Sequence, residues 1–206
     1  MIFSTNITFS SFKDKANYAI VKKKLKSILS EKKNEVINSL KIDYKYSYSQ
    51  KFISRLKNKF FSMRLIGMGG SILGMKAIYS FLNTKIKKEI YFFDNLLPII
   101  KKEKKKVFLN IVISKSGNTL ETISNTNNIV QRNQKNIFIT EKNDNYLRTL
   151  AYKLKAEIVD HNNFIGGRYS VLSEVGMLPA ELMGLNTNNF KQLNFLIKNK
   201  KFFDSL

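Results

Sequence analysis

Near Met63 the spacing of apolar positions changes. Before it, Tyr18, Val21, Leu25, Ile28 and Leu29 recur at intervals of three and four with lysines between them, which predicts one helix. Phe52, Ile53, Leu56 and Phe60 predict a second over residues 50–59. Between the two, tyrosines alternate with polar residues over 40–49, a pattern that fits either a short strand or an extended connection. After Met63 the apolar residues gather into short runs, at 63–66, 89–93, 107–113, 136–140 and 156–160, and each run reads as a strand.

Helical stretches separate these runs. One is expected to open at Ser71 as a capping residue, with Leu73, Ala77, Ile78 and Phe81 on its apolar face. A short one would be capped by Asp94 or Asn95, one runs from Thr119 or Leu120 to about Gln131, and one carries Leu147, Leu150, Ala151 and Leu154. Strand and helix alternating about five times predict right-handed β-α-β units. The expected fold is an α/β three-layer sandwich around a mostly parallel sheet of about five strands, flavodoxin-like or Rossmann-like. The expected division is a helical annex over 1–60, the sheet domain over 61–160, and a further segment over 161–206 that ends in a helix bearing Phe190, Leu193, Leu196 and Ile197.

Two turns attract chemical interest because both would lie at carboxyl ends of strands, where ligands bind on such sheets. The first contains Gly67, Gly69 and Gly70, followed by Ser71. Its glycines allow close backbone approach to a phosphate or sugar, but their spacing is not the dinucleotide fingerprint and no Walker lysine follows. Plain helix–strand packing explains it equally well. The second is Ser114, Lys115, Ser116, Gly117, Asn118 and Thr119, directly after the longest apolar run. A helix opening there presents unpaired N–H groups and roughly half a positive charge, and the hydroxyls add donors, so the turn can cradle a phosphate. The bland reading is a Ser/Thr-capped helix without a ligand.

Composition narrows the classes. With 206 residues, 43% of them hydrophobic, the chain can bury a substantial core. It has no cysteine and one histidine, His161, which removes disulfides, thiolate metal sites and histidine clusters; His161 itself reads as a loop residue, and no metal or cofactor is expected. No apolar run approaches the roughly 20 residues of a membrane span and no secretory signal opens the chain, so a cytoplasmic protein with no membrane partner is expected. The formal charge of +21 invites a nucleic-acid reading. The lysines are scattered, however, and only 21–26 and 101–106 are dense, so no nucleic-acid partner is expected; the positive field would draw in anionic substrates instead.

The stretch that neither packing nor capping calls for is Gly166, Gly167, Arg168, Tyr169 and Ser170. With it, GMGGSILG, FFDNLLP, SKSGNTLET and IGGRYSVLSEVGMLP, in this order and at these separations, resemble the N-terminal half of the glucose-6-phosphate isomerase family, with its first sugar isomerase domain. The resemblance covers residues 63–184. It implies interconversion of glucose 6-phosphate and fructose 6-phosphate through a cis-enediolate. It further implies that Ser114, Lys115, Ser116 and Thr119 hold the phosphate through hydroxyls and backbone amides, that Gly70 and Ser71 meet the sugar, that Arg168 is buried facing the reacting carbons, and that Glu121 gives support nearby. The bland alternative for Glu121 is an acidic first-turn residue favoured by the helix dipole. Ile72 and Leu97 stand where the family usually has aspartate, and Glu174 where it has a small residue. The family's base glutamate, ring-opening histidine and late lysine have no counterpart in these residues. A homodimer or a partner chain carrying the second sugar isomerase domain is therefore expected, from a truncated or split chain. A non-catalytic phosphosugar-binding module, regulatory or decayed, is the alternative.

Overall fold

A computed structural model describes residues 18–31, 33–96 and 107–191. Residues Lys45–Thr187 form one compact unit, and the residues before Lys45 and after Thr187 cluster as another. In that second unit, α1 (Tyr18–Ser30) follows the predicted period, although Ile28 is exposed. A short α2 (Glu35–Ser39) is capped by the Asn34 side chain, which accepts from the amides of Val36 and Ile37 at 3.1 and 3.2 Å. The predicted helix around Leu193 and the predicted cap at Asp94 or Asn95 concern turns that run into residues outside those described.

The larger unit begins with an irregular connection. Over 45–49 the tyrosines form no strand; Tyr46 and Tyr48 instead stack with ring centres 4.9 Å apart. Helix α3 (Gln50–Lys57) is capped by Ser49 and buries Ile53 and Leu56. The chain then alternates through β1 (Ser62–Gly67), α4 (Leu73–Leu82), β2 (Glu89–Phe93), β3 (Phe108–Ile113), α5 (Leu120–Ile129), β4 (Lys135–Glu141), α6 (Tyr146–Leu154) and β5 (Glu157–His161), and closes with α7 (Glu174–Leu182). The five strands are all parallel, in the order β2-β1-β3-β4-β5.

The central strand explains the apolar run, which only Asn110 interrupts. Every residue of β3 is buried, because neighbours flank it on both edges and helices cover both faces. On one face Ile66, Val112 and Phe138 meet Ile129 of α5 and Leu147 and Ala151 of α6. Elsewhere in the unit α7 packs against α3, and every residue of α7 is buried. Its Glu181 carboxylate accepts hydrogen bonds from the Tyr48 hydroxyl, the Gln50 amide and the Thr187 hydroxyl at 3.0 to 3.1 Å. Burial and that carboxylate push the Tyr48 hydroxyl far above its ordinary pKa, so it remains a donor.

Helix α4 departs from expectation. Leu73, Ala77 and Phe81 are exposed, and the buried positions are Met75 and Ile78. Gly74 lies against the protein instead: a side chain there would strike Val171, whose Cγ2 lies 2.6 Å from the ideal Cβ position.

Candidate phosphate-binding site

From β1 the chain turns through α4 to β2 on one side, and from β3 it runs through α5, β4, α6 and β5 on the other. The crevice between the carboxyl ends of β1 and β3 is thus the topological switch point, where ligands bind on open parallel sheets. Gly67 and Ile113 pair at the ends of these strands, and both glycine-containing turns leave from here.

The loop from Ser114 to Thr119 is braced before any ligand arrives. The Ser114 amide donates to Ile139 O at 3.1 Å, and Lys115 O accepts from the Glu141 amide at 3.0 Å and the Thr140 hydroxyl at 3.2 Å. Gly117 O accepts from the Leu147 amide at 3.1 Å, and the Asn118 side chain accepts from the Tyr146 amide, also at 3.1 Å. Gly117 itself sits at φ +66°, in the left-handed region that favours glycine.

The hydroxyls do not cap the helix. Thr119 occupies the N-cap position of α5 but makes no side-chain capping bond; its hydroxyl lies 3.0 Å from that of Ser114. Ser116 Oγ accepts from the Asn118 amide at 3.3 Å. Helices α2, α3, α6 and α7 are each capped by an Asn or Ser side chain, whereas α4 and α5, which flank the switch point, are not. The first-turn N–H groups of α5 therefore have no side-chain oxygen to receive them, and an anion would fill that role. Glu121 stands half-buried in that first turn.

Ser71 does not cap α4, contrary to expectation. It ends a 3-10 turn, Gly69–Ser71, and the apolar, fully buried Ile72 holds the N-cap position instead. Gly70 meets the arginine segment. A Cβ on Gly70 would overlap the Gly167 carbonyl group and come within 2.8 Å of Arg168 N, so the two backbones touch. That segment, Gly167–Leu172, is a 3-10 turn held by a 2.7 Å bond from the Ser170 hydroxyl to Gly167 O. Arg168 is exposed rather than buried, and its guanidinium forms no ion pair with any described residue. The structure thus brings Gly70 and Ser71 to the backbone of Arg168, with Ser114 to Thr119 across the crevice.

Lys115 sends its side chain the other way. Its ammonium lies 3.1 Å from Glu141 Oε1 and donates to Asn163 O at 2.7 Å, leaving its main chain in the loop. His161 is not a loop residue: it ends β5, 2% exposed, with Nδ1 2.9 Å from Asn162 O and 3.6 Å from the buried Glu174 carboxylate. Burial holds its pKa below the usual 6.5, against the pull of Glu174. A histidine kept neutral by folding favours the native state above its unfolded pKa, and that contribution disappears as pH falls through the folded value. The melting temperature is expected to fall more steeply between about pH 7 and about pH 5 in the wild type than in His161→Gln, as read by a thermal melt at each pH.

A family model, Phosphoglucose isomerase, matches residues 31–202. The chain belongs to the phosphoglucose isomerase family. The glucose-6-phosphate isomerase of Methanocaldococcus jannaschii is 36% identical over 141 residues, covering 63% of this chain and 34% of that protein. The one from Mycoplasmoides gallisepticum is 31% identical over 199 residues, covering 82% of this chain and 46% of that protein. The chain thus spans between a third and a half of the length of these relatives. Among solved structures, a hypothetical protein from Thermus thermophilus aligns with a TM-score of 0.65 at 19% identity, covering 92% of this chain and 50% of that one. Tagatose-6-phosphate ketose/aldose isomerase from Escherichia coli aligns with a TM-score of 0.52 at 16% identity, covering 71% and 44%. These two likenesses establish a shared fold.

Reading the sequence missed the parts played by Asn145 and Glu141, and noted Glu174 only as a departure from the family pattern and not as a partner of Asn162 and His161. Asn145 had a signal, since an asparagine before an amphipathic run marks a helix start. Glu141 and Glu174 had none, because their partners are remote in sequence.

Proposed function

We propose that this chain grips the phosphoryl end of a hexose 6-phosphate and is the phosphate-holding part of a glucose-6-phosphate isomerase. The observation that carries this reading is the uncapped N-terminus of α5 beside the paired hydroxyls of Ser114 and Thr119. The amides of Lys115 and Ser116, the hydroxyls of Ser114, Ser116 and Thr119, and the first turn of α5 would supply the donors. Gly70 and Ser71 would lie along the sugar. Isomerisation removes a proton from C2 of the open-chain aldose and returns one to C1, through a cis-enediolate. Arg168 would stabilise the developing oxyanion with a charge that does not titrate, and Glu121 would support it. The base glutamate, the ring-opening histidine and the late lysine would come from polypeptide beyond these residues, in the same protein or in a partner chain of a dimer. A cytoplasmic location follows from the reading; among the described residues, no helix is long and apolar enough to cross a membrane.

Fructose 6-phosphate is expected to raise the melting temperature of the chain at about 0.15 M salt, with a stabilisation of about 2.7 kcal/mol at a hundred times the dissociation constant. Fructose should leave it unchanged. Each phosphate hydrogen bond is worth about 1.5–3 kcal/mol, so Ser114→Ala with Thr119→Val should weaken binding by at least about tenfold. An unchanged affinity in that double variant would remove the site from this loop. Binding without turnover in a coupled isomerase assay, even with the rest of a family member supplied, would favour the binding-module reading instead.

A further inference from the structure

The segment between β5 and the arginine turn is gripped from two sides. The Asn162 amide donates to Glu174 Oε1 at 2.7 Å, from the first turn of α7. One residue on, Asn163 O accepts from the Lys115 ammonium at 2.7 Å, and that ammonium is held in turn by Glu141 at the end of β4. Within the segment the Asn162 side chain accepts from the Phe164 amide at 3.0 Å, and Asn162 O accepts from the Ile165 amide at 3.1 Å, so the connection is a rigid turn. It leads directly into Gly166, Gly167 and Arg168.

From this geometry we infer that Glu174 and the side chain of Lys115 are positioning residues, which hold the phosphate loop and the arginine turn in register by gripping adjacent residues of one connecting segment. The inference rests on the proposed function for its purpose and not for its mechanics. Lys115 thereby has two separate jobs: its main chain belongs to the anion cradle, and its side chain reaches about 48 residues along the sequence to fix where Arg168 begins. Glu174, itself buried, supplies the acceptor for the half-buried Asn162 amide, and losing it would remove that hydrogen bond. His161, Glu141 and Tyr48 are the other charged or titratable groups that bear on this pair, His161 from the end of β5.

Hydrogen–deuterium exchange on the ligand-free chain tests the inference. Glu174→Leu removes the acceptor, and amide exchange should rise roughly tenfold or more both in residues 162–168 and in the remote loop 114–119. Glu174→Gln keeps an oxygen for the Asn162 amide and should restore slow exchange in both. Lys115→Met should likewise speed exchange in residues 162–168, where the hydrogen bond from the ammonium to Asn163 O is lost. Faster exchange confined to residues near 174 in Glu174→Leu, with 114–119 unchanged, would overturn the inference, as would Gln failing to rescue in a variant that still melts cooperatively. Fructose 6-phosphate binding by the wild type, measured alongside, decides the proposed function separately.

Discussion

Gly117→Ala is expected to destabilise the chain by about 2–4 kcal/mol, lowering the melting temperature by roughly 5–15 °C. Two costs add. The residue sits at φ +66°, where a side chain costs about 1–2 kcal/mol. The new methyl would also overlap the Asn145 carboxamide, whose Cβ lies 2.9 Å from the ideal Cβ position. Asn145 cannot retreat cheaply, because its oxygen caps α6 through the Arg148 amide at 2.9 Å and its nitrogen donates to Asn143 O at 2.9 Å. Loss of such a cap costs about 0.5–2 kcal/mol. Gly69→Ala is the internal control: Gly69 has a similar φ of +54°, but nothing lies within 4 Å of its added Cβ. If the two variants melt alike, Asn145 is not the brace behind the phosphate loop.

Gly70→Ala should damage the site more than the fold. The added methyl has no flexible side chain to push aside, only the Gly167 backbone and Arg168 N at 2.8 Å, so the arginine turn must move. Overpacking of this kind costs about 1–3 kcal/mol of stability. A displacement near 1 Å can cost about a hundredfold in a reaction that depends on position, and the proposed function predicts a loss of that size in isomerase activity when the chain is assayed with the rest of a family member. In the chain alone, fructose 6-phosphate affinity should drop about tenfold toward that of inorganic phosphate. Gly74→Ala separates the two effects. Its methyl meets the side chain of Val171 at 2.6 Å and should destabilise while leaving the preference for the hexose phosphate intact. Equal loss of that preference in both variants would mean that the Gly70 contact has no special part in the site.

The strands were legible because a parallel sheet covered by helices writes short, mainly apolar runs. All five runs fall within a residue or two of the observed strands, and Val107 is left outside β3 and exposed. The loop from Ser114 to Thr119 was legible as a cluster of hydroxyls and glycine after such a run. What one-dimensional spacing cannot carry is orientation. Leu73, Ala77 and Phe81 have the periodicity of a buried face, yet they face outward while Met75 and Ile78 are buried. Ser71 looked like a cap because the backbone was assumed to enter a helix at once, whereas a 3-10 turn intervenes and Ile72 takes the position. His161 and Glu174 are thirteen residues apart with no shared period, and only the packing of α7 beside β5 makes them neighbours. Arg168 was expected to be buried on the strength of resemblance, and it is exposed.

The fructose 6-phosphate titration, followed residue by residue through backbone amide resonances, tests the central claim most directly. The amide signals of Lys115, Ser116, Gly117, Thr119, Leu120 and Glu121 should move saturably, with inorganic phosphate reproducing much of the pattern and fructose none of it. Shifts spread over the lysine-rich surfaces and absent from this loop, or a loop pattern that fructose alone reproduces, would contradict a phosphate seat at the head of α5.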